Sequence, residues 1–197
     1  MKIKNKRTLD LLKSWQEKDW NIDLHSTQCI SERQPPWDIN EYDYISEMST
    51  SDEYIHKILN KEIEPRYYSV TTQFGEEPYG RYIFQNLPID YDIYYTTAYA
   101  PNGFVGWHTD SHKSGWYMLF SYTEKGDGFF KFIDPITKQL KCYDDQPGWN
   151  FRNYYAGNTE DTILWHCALA KSQRLTFILF FHTEEKYQRA LKVLTNP

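Results

Sequence analysis

From Arg66 onward the chain is cut into short runs of aromatic and β-branched residues, each bounded by Gly, Pro, Asn or Asp. Such side chains lose rotamer freedom in a helix and pack well on a pleated surface, and turn residues at this spacing leave no room for a long helix. The runs are Tyr67–Phe74, Arg81–Phe84, Ile93–Ala100, Val105–Thr109, Trp116–Thr123, Gly128–Ile133, Gln139–Tyr143, Asn150–Tyr155, Thr162–Cys167 and Arg174–Phe181. About ten strands spaced in this way form a sandwich or a barrel. An aromatic share of 18%, with 17 Tyr, 11 Phe and 7 Trp, points the same way. Lys125-Gly126-Asp127-Gly128 and Asp134-Pro135-Ile136-Thr137 read as hairpin turns.

The flanks read as helices. Residues 7–20 and 51–61 carry helical periodicity; the second opens with Thr50 and Glu53 in capping-box spacing and sets Tyr54, Ile55, Ile58 and Leu59 on one face. An irregular stretch with Pro35 and Pro36 lies between them. A last helix is expected over Thr183–Leu194, with Glu184 and Glu185 favourable at its N-terminus and Tyr187, Leu191 and Leu194 sharing a face. The 197 residues hold no repeat and no low-complexity tract, so one domain is expected. Residues 1–65 would be helical or irregular support beside the substrate entrance, 66–182 the β core and 183–197 the closing helix.

Composition removes several function classes. Cys29, Cys142 and Cys167 stand at unrelated spacings that suit neither a disulfide framework nor a CxxC zinc site. The N-terminus lacks the apolar segment of a signal peptide, and no apolar run reaches the length of a membrane span, so a reducing, cytoplasmic setting without membrane attachment is expected. A net charge of −5 gives no global attraction to phosphate backbones, and Lys2, Lys4, Lys6 and Arg7 read as a solvated arm, so duplex nucleic acid is not an expected partner. Acyl transfer, nucleotide hydrolysis and dinucleotide binding have no motif here.

What remains is a metal-ligating pattern. In GWHTDSH, His108 and Asp110 stand two apart on an expected strand, and a period of two puts both on one face. Alone, His-x-Asp is common and can be a polar strand end. A third ligand must come from far down the chain, inside a strand, and His166, in TILWHCAL, qualifies; the bland alternative is a core histidine bonded to backbone. Two imidazoles and one carboxylate leave neighbouring coordination positions open, as an iron that must bind a chelate and O₂ requires, whereas zinc more often closes its shell with thiolates or a third imidazole. Eight residues on (174 − 166 = 8), Arg174 opens the apolar strand RLTFILFF with Thr176 on the same face, and this strand reads as the partner of the His166 strand. A guanidinium there is costly unless it receives an anion or an internal Asp or Glu.

His-x-Asp, a distant His and Arg-x-Thr a short step later, spread over a strand-rich half chain from about 92 to 181, resemble the Fe(II)- and 2-oxoglutarate-dependent dioxygenase superfamily. The resemblance implies a double-stranded β-helix, or jelly roll, with Fe(II) held by His108, Asp110 and His166 and the distal carboxylate of 2-oxoglutarate held by Arg174 with help from Thr176. The stretch YAPNGFVGWHTD is similar to the alkylation-repair branch, where a Tyr nine residues before the first His bonds 2-oxoglutarate; Tyr99 holds that place (108 − 99 = 9). Thr97 stands where that branch has Asn, and the short His166-to-Arg174 spacing looks more like the prolyl-hydroxylase branch. The implied activity consumes O₂ and 2-oxoglutarate, releases succinate and CO₂, and hydroxylates a peptide side chain or a small molecule. The alternatives are a cupin-like metal protein that does not use 2-oxoglutarate, a nucleobase-directed oxygenase, and a binding module whose metal site is vestigial.

Other residues carry weaker readings. His112 shares the parity of His108 but falls in an expected loop, and His182 is expected to be exposed at a strand end. Trp107, Trp116, Tyr117 and Trp165 could wall the site or fill the core, and Gly103 and Gly106 are expected in the turn into the metal strand. Cys167, next to His166, should point to the opposite face and form no dyad with it.

Overall fold

The computed structural model describes residues 3–16, 42–70, 72–73, 85–110 and 113–196. The expected strand at 81–84, the stretch around Pro35, Cys29 and His112 lie outside them. Ten strands follow in order: β1 (Ser69–Val70), β2 (Thr72–Gln73), β3 (Ile93–Tyr99), β4 (Phe104–Thr109), β5 (Gly115–Thr123), β6 (Gly128–Ile133), β7 (Leu140–Asp144), β8 (Gly148–Ala156), β9 (Trp165–Ala170) and β10 (Arg174–Phe181). They form two antiparallel five-stranded sheets, β1-β4-β9-β6-β7 and β2-β3-β10-β5-β8. Along β3 to β10 the chain crosses between the sheets at every step except the β6–β7 hairpin, which is the winding of a jelly roll.

This topology corrects two expectations. Lys125 to Gly128 joins β5 to β6 across the two sheets, so it is a corner and not a hairpin; Gly126 supplies its left-handed residue at φ 70°. The β9 and β10 strands are likewise not paired: β9 lies between β4 and β6, and β10 between β3 and β5. His166 and Arg174 therefore belong to opposite walls. The 134–137 turn is a hairpin, with the Asp134 carboxylate accepting from the Ile136 and Thr137 amides at 3.0 and 2.9 Å.

Helices cover the outer face of each sheet, which explains strands apolar on one side without an apolar interior. On β10 the outward Leu175, Phe177, Leu179 and Phe181 pack under α1 (Lys6–Gln16) and the closing helix α4 (Glu184–Thr195), against Leu11, Leu12, Tyr187, Ala190 and Leu194. On the other sheet, Phe104, Trp107, Ile133 and Cys167 pack under α2 (Tyr42–Thr50) and α3 (Asp52–Leu59). Each such side chain contributes roughly 1.5–3 kcal/mol of burial. The α2 helix was not expected, and its presence moves the cap: Thr50 ends α2 and donates to the Ser46 carbonyl at 2.7 Å, so Ser51 caps α3 and accepts from the Tyr54 amide at 3.1 Å. Of the four aromatics flanking the motif, Trp107 and Trp165 lie in the α2–α3 layer and Trp116 stacks on Tyr187 at 4.7 Å, leaving Tyr117 alone to face inward.

Candidate metal centre and anion pocket

Between the sheets lies a cavity of about 250 Å³. Its metal end is built by one irregularity of β4. Phe104 and Trp107 pack outward under α2 and α3, while Val105 and His108 line the cavity; a separation of three cannot be met by a regular strand. The ladder to β9 pairs Val105 with Ala168 and His108 with His166, so one extra residue on β4 is absorbed as a β-bulge. Gly106 thus sits in the bulge rather than in the preceding turn. A Cβ there would lie 3.0 Å from Ser49 on α2, and its amide donates to the Tyr68 carbonyl at 2.8 Å.

Beyond the bulge the period of two holds. His108, Asp110 and His166 converge with ligand atoms within 4.8 Å of one another, and His166 Nε2 lies 3.7 Å from Asp110 Oδ2. The two histidines are direct cross-strand partners with ring centroids 4.1 Å apart. Each imidazole spends Nδ1 on a backbone carbonyl two residues upstream, His108 on Gly106 at 2.8 Å and His166 on Leu164 at 3.1 Å. With the proton on Nδ1, both Nε2 lone pairs are available to a metal. Desolvation, and then the neighbouring imidazole, pulls His108 down to about 4 against the pull of Asp110, so both the ring and its lone pair are ready at neutral pH. The set fits a divalent metal with open positions. Cys167 points away into the α2 layer toward the Thr50 carbonyl, and burial pushes its thiol pKa up.

The other end of the cavity is cationic. Arg174 and Thr176 line it from β10, and Tyr99, paired with Arg174 across β3, sets its ring 5.2 Å below the guanidinium. Burial pushes the Tyr99 phenol up to about 12, so it stays neutral. Arg174 is 1% exposed, and among the described residues Nε, Nη1 and Nη2 have no hydrogen-bond partner; neither has Thr176 Oγ1. The internal carboxylate that a buried arginine can recruit is present in part. Asp145, in the loop between β7 and β8 and also 1% exposed, brings Oδ2 to 3.2 Å from Arg174 Nε, close enough for charge attraction but not aligned as a hydrogen bond. Its other oxygen takes Arg152 Nη2 of β8 at 2.7 Å, and Arg152 also reaches Ser121 Oγ at 3.2 Å and the Tyr143 carbonyl at 3.3 Å.

Asp145 and Arg152 were missed in the sequence. Asp145 stands beside an equivalent Asp144 in a turn-like DDQPG, and Arg152 alternates with aromatics in a strand whose polar side reads as solvent-facing. Tyr95, Thr97, Lys113 and Tyr117 join the lining as well, with Lys113 Nζ donating to the Tyr95 hydroxyl. Tyr154 and Phe130 complete the wall beside His166, and burial holds the Tyr154 phenol well above its usual range. His182 is exposed, edge-on to Phe180, and away from this cavity.

No family model and no curated protein matches the chain. Among solved structures, it is similar to a prolyl-4-hydroxylase from Pseudomonas putida (14% identity over 72% of this chain and 87% of that one, TM-score 0.37). It is also similar to OsALKBH1 (17% identity, 76% and 66%, TM-score 0.34). An oxalate oxidase in complex with glycolate matches at 12% identity over 44% of this chain, which spans 40% of the oxalate oxidase, with a TM-score of 0.33. These values are too low to carry the family or activity of any of the three to this chain. Among the described residues no helix is long and apolar enough to cross a membrane.

Proposed function

We propose that this protein is an Fe(II)- and 2-oxoglutarate-dependent dioxygenase that hydroxylates a peptide side chain or a small molecule. The observation that carries the reading is the sharing of one cavity by the His108–Asp110–His166 cluster and four buried polar atoms that make no hydrogen bond among the described residues, three on Arg174 and one on Thr176. Buried polar atoms left without partners are rare and costly, and here they face a space large enough for a small dicarboxylate. A ligand with a carboxylate at one end and a metal-chelating group at the other answers both ends at once.

When bound, iron with 2-oxoglutarate and O₂ supplies oxidative decarboxylation to succinate and CO₂ coupled to hydroxylation of the substrate. The chain's own part is positioning. His108 and His166 keep Nε2 turned to the ion because Gly106 and Leu164 hold Nδ1. Asp110 adds the carboxylate. Arg174 and Thr176 take the distal carboxylate of the co-substrate, Tyr99 supports the guanidinium from below, and Tyr117, Tyr154 and Phe130 keep the cavity wall apolar.

Adding 2-oxoglutarate to the Fe(II) protein without O₂ should produce a weak visible charge-transfer band, and admitting O₂ should yield succinate. Absence of both would refute the assignment. One observation favours the cupin-like alternative: the 3.2 Å approach of Asp145 to Arg174 is what a purely structural arginine would show. That reading requires the Arg174→Ala protein to retain metal-dependent activity.

A further inference from the structure

The buried cations and the carboxylate between them form a chain, Arg152–Asp145–Arg174, in which Arg174 lines the cavity and Arg152 of β8 does not. Counted as ionised groups, the trio is +1 (two guanidinium charges, one carboxylate). Asp145 has two oxygens and divides them. Oδ1 makes a 2.7 Å bond to Arg152, whereas Oδ2 stands 3.2 Å from Arg174 Nε without a hydrogen bond. Arg152 is fixed independently by Ser121 and the Tyr143 carbonyl, so it is an anchored partner. The loop is built for this placement: the Asp145 amide donates to the Gly128 carbonyl at 2.9 Å, and a Cβ on Gly128 would lie 2.7 Å from Asp145 Oδ2.

We propose that Arg152, which is not among the residues lining this cavity, is a positioning residue that takes the aligned hydrogen bond of Asp145, divides its charge between two guanidinium groups, and so leaves one buried positive charge for an incoming carboxylate. A buried carboxylate with a single available cation closes on it, because the attraction is strong where water is excluded. Without Arg152, Asp145 has among the described residues only Arg174 as a cationic partner; the anchor becomes an internal ion pair of net charge zero, and the cavity loses its attraction for anions. With Arg152 in place, one carboxylate of the ligand brings the trio to neutrality. The class of ligand is thereby set as an anion carrying one carboxylate at this end. The inference rests on the proposed function only for naming 2-oxoglutarate.

The experiment is a charge cycle on the full chain with two probes. Succinate has carboxylates but no keto group for chelation, so its thermal stabilisation of metal-free protein reports the anchor alone; calorimetry of 2-oxoglutarate with the Zn(II)-loaded protein reports the whole site. Arg152→Gln should weaken both probes about tenfold or more. The double variant Asp145→Asn/Arg152→Gln restores the +1 count and should recover most of the loss, and Arg152→Lys should stay within a few-fold of wild type. Rescue by a second substitution is not what a merely structural Arg152 would give.

Near wild-type succinate stabilisation in Arg152→Gln, or a double variant no better than that single one, overturns the proposal; so does a wild type that succinate does not stabilise. If Arg152→Gln does not fold, the double variant and Arg152→Lys carry the test against wild type, and loss of the succinate response in both overturns it. A wild type that responds to succinate while the Zn(II) protein ignores 2-oxoglutarate sinks the co-substrate reading and leaves the anchor standing.

Discussion

The two ends of the cavity solve opposite problems. At the metal end the protein has completed its own bonding: both Nδ1 atoms are engaged by carbonyls, and what remains open is Nε2. At the anion end it has left its bonding incomplete, with a guanidinium and a hydroxyl that make no hydrogen bond among the described residues and a carboxylate at ion-pair distance without an aligned hydrogen bond. A finished shell orients ligands for an ion that brings its own strong field, whereas an unfinished one keeps a buried charge for a ligand that must come and go.

Breaking the metal end should have the largest effect. His108→Ala or Asp110→Ala removes a ligand, and turnover measured as succinate release should fall below detection; a variant that still couples O₂ uptake to succinate at near wild-type rate would contradict the assignment. Arg174→Ala comes next. It removes the charge-assisted partner of a carboxylate, worth about 1.5–3 kcal/mol, so the apparent 2-oxoglutarate requirement should rise on the order of tenfold to a hundredfold in a steady-state titration. Unchanged affinity would make this arginine structural.

Gly106→Ala sharpens the contrast without touching a ligand. The added methyl meets Ser49 at 3.0 Å and strains the bulge whose carbonyl orients His108, so Fe(II) affinity should drop about tenfold by competition with a chelator while succinate binding is unmoved. The last effect is on the stability, not the activity, of the metal-free protein. His108 is held at about 4 against an ordinary 6.5, so between these values the unfolded chain binds more protons than the folded one. Stability of the metal-free protein should therefore rise with pH from about 4 to about 6.5 and be lost as pH falls through that window. Chemical denaturation at pH 5 and 7 reads this out, and a lower midpoint at pH 7 would contradict it.

The difference between the ends also decided what the sequence could tell. His108 and Asp110 were legible because a period of two holds beyond the bulge, and Arg174 because a cation opening RLTFILFF has no solvent to reach. Asp145 was not, because it stands beside Asp144 in a turn-like loop, and Arg152 was not, because helices α1 and α4 cover the outside of its sheet. On β8, Trp149 and Phe151 face the helical layer while Arg152 and Tyr154 face inward, so the usual rule of apolar inside and polar outside reads backwards. The strands from Ile93 onward were placed to within a few residues because turn residues mark their ends, whereas Tyr67–Phe74, expected as one strand, is split into β1 and β2 of different sheets; the sheet each strand joins was not legible, since the 125–128 corner has the composition of a hairpin turn. The α2 helix went unread because the apolar residues of Tyr42–Thr50 are too few to show a period, and that hid the true cap at Ser51.

The β4 bulge has a consequence for how such sites are recognised. If β4 ran as a regular ladder from Val105 to His108, with every residue kept and no bulge, His-x-Asp, the distal His and Arg-x-Thr would all stay intact as text. The odd separation of three would then flip the parity, turning His108 and Asp110 outward against α2 and α3 and bringing Trp107 into the cavity. Such a chain would satisfy every motif and hold no ion. The unit of inheritance here is the motif together with its reading frame on the strand.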